Sequence, residues 1–70
     1  MHKLVELQKK FDKSGINGNP VISDAELKIL HEGLNDMERF FLDRGDNTIA
    51  NAMRQEAWSV SRMIEARKYP

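Results

Sequence analysis

Trp58 has a cation one helical turn away on each side, Arg54 and Arg62. Residues four apart share a helix face, so these three can form an Arg-Trp-Arg row with guanidinium groups stacked on the indole. Such contacts contribute about 0.5–1 kcal/mol each when exposed, and Trp and Arg are enriched where proteins bind one another. Other reactive residue types lack partners at the spacing their chemistry needs. His31-Glu32 is followed by Asn35, at the position where a helix-borne zinc site requires its second His. Glu32, Asp36 and Asp43 lie on the outer face of an amphipathic segment and read as solubility and charge pairing. Gly15 and Gly18 are not followed by the Lys and Ser/Thr of a phosphate-binding loop. The serines form no legible Ser-His-Asp arrangement. These residues predict no catalytic residue, no metal site, no cofactor and no enzymatic activity.

The elements that must position Trp58 are helical. Leu4, Leu7 and Phe11 recur at spacings of three and four, which predicts a short helix over residues 2–12. Gly15 to Pro20 is turn chemistry: Asn17-Gly18 favours positive φ and Pro20 bars helix at Asn19. Ser23-Asp24-Ala25-Glu26 is a capping box flanked by Ile22 and Leu27 as a hydrophobic staple, and it opens a second helix over 23–43. Leu27, Leu30, Leu34, Met37 and Phe41 form its seam. Ile29 and Phe40 lie beside that seam and widen the apolar arc enough to reach two neighbours. Gly33 sits on the same side, where another helix can approach closely, and Gly45 suits the C′ position that ends the segment.

Asp46 or Asn47 can cap a third helix over 47–68. Its core stripe is Ile49, Met53, Ala57, Val60 and Ile64, with Ala50 and Met63 at the edges. Arg67 and Lys68 complement its C-terminal dipole. The connection at 44–46 is short enough to make helices two and three an antiparallel hairpin. The expected fold is therefore all-α: a hairpin of two long helices with a short N-terminal helix, assembling into a homo-oligomeric helical bundle. Trp58 falls almost opposite the Ile49–Val60 stripe. Either the first helix folds over it, or another chain covers it, or it is simply exposed.

Two stretches resemble known motifs in part. Thr48 to Glu65 (TIANAMRQEAWSVSRMIE) resembles the helix-turn-helix of prokaryotic repressors, with Ile49, Ala50 and Met53 on the first helix and Val60-Ser61-Arg62-Met63-Ile64 on the recognition helix. That resemblance implies a DNA-binding regulator whose contacts are Ser59, Ser61, Arg62 and Arg67. The turn departs from the family: Arg54-Gln55-Glu56 stands where Gly and an apolar residue are usual, and all three favour unbroken helix. Residues 11–27 (FDKSGINGNPVISDAEL) resemble both ends of a calcium-binding EF-hand loop. The interval does not fit. Counting back from Glu26 as the twelfth residue puts Pro20 at the required Gly, and starting at Asp12 makes the loop too long.

Seventy residues make one small domain, which buries about 60% of its unfolded surface and is marginal alone. With no Cys available for disulfides or thiolate metal sites, self-association or docking on a partner is the remaining source of stability. Eleven basic and eleven acidic residues balance, but unevenly: residues 1–22 and 47–70 each carry +2, and 23–46 carry −4. This suits helices that pack with complementary charge, and it lacks the basic footprint of a nucleic-acid binder. No apolar run reaches the ~20 residues of a membrane span, and the N-terminus lacks the uncharged core of a signal peptide. The expected location is cytoplasmic, with no membrane partner. The sequence predicts a small protein-binding adaptor or regulator that acts through helix faces and self-association, of the kind found among bacterial and phage accessory proteins. Its partner-binding residues are Arg54, Trp58, Arg62, Ile29 and Phe40, and its partner is itself as a dimer or higher, another protein, or both.

Overall fold

The computed structural model describes residues 2–68. Three α-helices carry the fold: α1 (His2–Asp12), α2 (Asp24–Asp43) and α3 (Asn47–Lys68). No strand occurs among the described residues. Between α1 and α2 the chain turns through a single 3-10 turn, Ile16–Gly18. Gly15, Asn17 and Gly18 adopt positive φ there, which Gly tolerates freely and Asn more readily than other side chains. Ser14 Oγ accepts from the Ile22 N–H at 3.0 Å and fixes the chain as it leaves the turn.

α2 begins at a complete capping box. Ser23 Oγ accepts from the Glu26 N–H, and the Glu26 carboxylate accepts from the Ser23 N–H, both at 3.1 Å. Ser23 is the cap, so the helix proper starts at Asp24. On either side of the cap Ile22 and Leu27 are fully buried, as a hydrophobic staple requires. The helix ends in a Schellman motif: the Asp46 N–H donates to Phe41 O at 2.9 Å and the Gly45 N–H to Leu42 O at 3.0 Å, with Gly45 at φ 79°.

Arg67 near the end of α3 pairs with Asp24 at the start of α2 (2.8 Å), and Arg54 pairs with Glu38 (2.7 Å). The first turn of α2 thus lies beside the last turn of α3. Between them Leu27, Leu30 and Leu34 pack with Ala57 and Val60, and α1 and the turn close this core with Leu7 and Ile22. α1 crosses α2 where Gly33 leaves room: a Cβ at position 33 would stand 2.7 Å from Leu4 Cδ1. Lys10 then reaches Glu26 at 3.0 Å.

One part of the expected α3 stripe is rotated. Ala50 is buried and belongs to the packed face, whereas Ile49 is 38% exposed. Ala50 and Ala57 are seven residues apart, within about 20° of each other around the helix, while Ile49 lies about 80° off that line. Near the connection the small Ala50 is turned inward and the larger Ile49 outward.

The Glu26 carboxyl is held at about 2, below its ordinary 4.5, chiefly by the Ser23 N–H and next by the Lys10 ammonium. A lowered carboxyl favours the folded chain above pH 4.5, and this contribution fades as pH falls towards 2. Ser23→Ala removes half of the reciprocal cap. It is expected to lower stability by about 1 kcal/mol at pH 7, read as an earlier urea midpoint with unchanged slope.

Candidate functional site

α3 is continuous from Asn47 to Lys68, and this places the residues of both sequence-based readings. A helix-turn-helix within 48–65 needs a turn near Gln55, and the chain makes none. Its four expected contacts also do not converge. Ser59 Oγ is turned back onto Gln55 O at 3.2 Å, and Arg67 is tied to Asp24. Ser61 is half-buried while Ser59 is exposed. At about 100° per residue these two serines lie some 160° apart around α3. Arg54-Gln55-Glu56 are strong helix formers and carry the helix straight through this stretch.

Trp58 is 62% exposed. Of the two coverings expected, α1 is not the one formed. Leu7 of α1 packs in the buried cluster with Ala57 and Val60 of α3, on the side where Glu56 is half-buried. Trp58 lies about 160° round the helix from Glu56. The Arg62 guanidinium stacks over the indole at 4.9 Å. Arg54 does not complete the row, because its Nε is held by Glu38 on α2 at 2.7 Å. The expected Arg-Trp-Arg stack is thus an Arg62–Trp58 pair beside an interhelical ion pair. Among the described residues Arg62 has no carboxylate within ion-pair distance. A stacked guanidinium keeps its in-plane donors free, so the pair offers an apolar plate with a carboxylate-seeking edge.

Ile29 and Phe40 on α2 are each 47% exposed. They are eleven residues apart, hence within about 20° of each other on one flank of α2. Gly33, where α1 crosses, lies between them on that flank, so α1 separates Ile29 from Phe40. Phe40 meets Phe41 edge-to-face with centroids 5.2 Å apart, and the Arg44 guanidinium lies 4.3 Å above the Phe40 ring. The sequence reading passed over Arg44. Its place four residues after Phe40, at the end of a helix, was the signal that could have found it. A shallow depression of about 250 Å³ opens here, lined by Asp36, Met37, Phe40 and Phe41. The five expected partner-binding residues therefore do not share one surface: Arg54, Trp58 and Arg62 are on α3, and Ile29 and Phe40 stand on opposite sides of the α1 crossing of α2.

No model of a known protein family matches the chain, and comparisons with curated proteins and with solved structures likewise find no match. No helix among the described residues is long and apolar enough to cross a membrane.

One titratable group is badly placed. Glu56 Oε1 is buried without a hydrogen-bond partner. Burial, and next the Asp12 carboxylate, raise the Glu56 carboxyl above its ordinary value of 4.5. A raised carboxyl holds its proton in the folded chain where the unfolded chain has released it, so stability declines as pH rises through that window. Glu56→Gln is expected to stabilise the chain at pH 7 by about 1 kcal/mol, raising Tm by roughly 4–8 °C. The advantage should vanish below pH 4.5. Thermal melts of both chains from pH 3 to 8 check it.

Proposed function

We propose that the chain is a small protein-binding adaptor or regulator without catalytic activity, and that Trp58 is the centre of its partner surface. In this reading α2 and α3 form an antiparallel hairpin, α1 folds on one side of it, and copies associate into a helical bundle. The cytoplasm is the proposed location. The observation that carries the proposal is the exposure of the chain's one Trp, stacked beneath a guanidinium with no carboxylate partner. Leaving an indole in water forgoes most of its burial free energy, and Trp–Arg pairs of this kind are frequent binding hot spots. The chemistry matches a partner that presents an apolar side chain with a carboxylate beside it.

Capture from extracts of the source organism, with wild type and Trp58→Ala as paired baits, tests this reading. Trp58→Ala is expected to keep helix content and Tm close to wild type. It should weaken the captured partner by about 30-fold or more, the effect of losing a hot-spot side chain worth about 2 kcal/mol. A variant that captures the same protein equally well, or that unfolds, contradicts the proposal.

A further inference from the structure

α1 is 11 residues long, and the helices beneath it are 20 and 22. At about 1.5 Å per residue it can cover only about half of their length. It lies towards the end away from the 44–46 connection, with Leu4 at Gly33 and Lys10 at Glu26, and the buried cluster of Leu7, Ile22, Leu27, Leu30, Leu34, Ala57 and Val60 runs from that end to the middle of both helices. The α2 seam continues past the α1 crossing with Met37 and Phe41, which are half-buried, and Phe40 beside them is exposed.

The charges around Phe40 say what covers it. Asp36 stands one turn before Phe40 and Arg44 one turn after. Neither has an ion-pair partner among the described residues. They cannot pair with each other within one chain, because eight residues of helix separate them by about 12 Å. In two antiparallel α2 helices crossing at Phe40, each residue four after the crossing meets the residue four before it. Arg44 of one copy then lies opposite Asp36 of the second, and the reverse. One surface thus supplies both halves of two identical ion pairs, as an isologous two-fold contact requires. The Arg44 guanidinium carbon already lies 4.3 Å from the Phe40 ring centroid, beside the face that a second copy would cover. The depression lined by Met37 and Phe41 is open to the second copy's Phe40.

We infer that the Asp36–Phe40–Arg44 flank of α2 is a docking surface for a second copy of this chain, related by a two-fold axis at Phe40 with reciprocal Arg44–Asp36 pairs. The inference gives a site to the self-association part of the proposed function and rests on that part alone; the Trp58 surface is independent of it. The contact is narrow, at the low end of specific interfaces, so the dimer is weak and concentration-dependent.

Sedimentation equilibrium of the whole chain from about 5 to 500 µM tests it, with helix content followed by circular dichroism. Wild type and Trp58→Ala are expected to rise from 8.1 kDa towards twice that mass. Asp36→Arg and Arg44→Asp should each stay at 8.1 kDa, and the double reversal should recover the dimer. If Arg44→Asp loses helix content, Arg44→Gln reads the same pair and should dissociate about tenfold more readily than wild type. A wild type that remains monomeric at 500 µM overturns both this inference and the self-association reading. A wild-type dimer that withstands the single reversals overturns only the Phe40 geometry, and so does a folded double reversal that fails to dimerise.

Discussion

Burial of Leu27, Leu30 and Leu34 against Ala57 and Val60, closed by Leu7 and Ile22, is the interaction on which the rest of this structure depends. Full burial stabilises each large aliphatic side chain by about 1.5–3 kcal/mol. The four ion pairs among the described residues all involve partly exposed groups, and surface pairs of that kind contribute about 0–1 kcal/mol. Position along the helices is therefore set by the apolar cluster, and the ion pairs adjust register. Because the cluster includes α1, the short helix is part of the core. Gly33 permits this: with any larger residue there, Leu4 could not sit as it does.

The same constraint decides what is left uncovered. A chain of 70 residues has one short helix with which to cover two long ones. That helix can lie on only one side of α2 and α3, and over only part of their length. Trp58 is exposed because it faces away from α1, and Phe40 because it lies beyond the α1 crossing. Both apolar surfaces follow from the shortness of α1. Both also carry a guanidinium stacked on an aromatic ring, which keeps a charged group beside the apolar one in the free chain.

Much of this was legible in the sequence where a single local rule decides the outcome. Ser23 and Glu26 specify a capping box by their spacing, Ile22 and Leu27 a staple, and Gly45 a positive-φ helix end. Leu27, Leu30 and Leu34 recur on one face and are buried there. The Arg54-Gln55-Glu56 stretch argued for unbroken helix, and the helix is unbroken. Legibility ended where two elements had to be placed together. Ile49 outranks Ala50 in hydrophobicity, yet Ala50 is the residue turned inward. Nothing in residues 54–62 reveals that Glu38, sixteen positions before Arg54, would take that guanidinium away from Trp58. Which side of α3 the first helix would take was equally invisible, and Trp58 depends on it.

Hydrogen exchange resolved along the chain at low micromolar concentration, where copies are apart, tests the central claim most directly. If one core in the α1-covered half holds the fold, amides of residues 27–34 and 57–64 open only with global unfolding, while those of 38–44 and 49–52 exchange through smaller local openings. Equal protection in both halves, or the strongest protection beside the 44–46 connection, would contradict it.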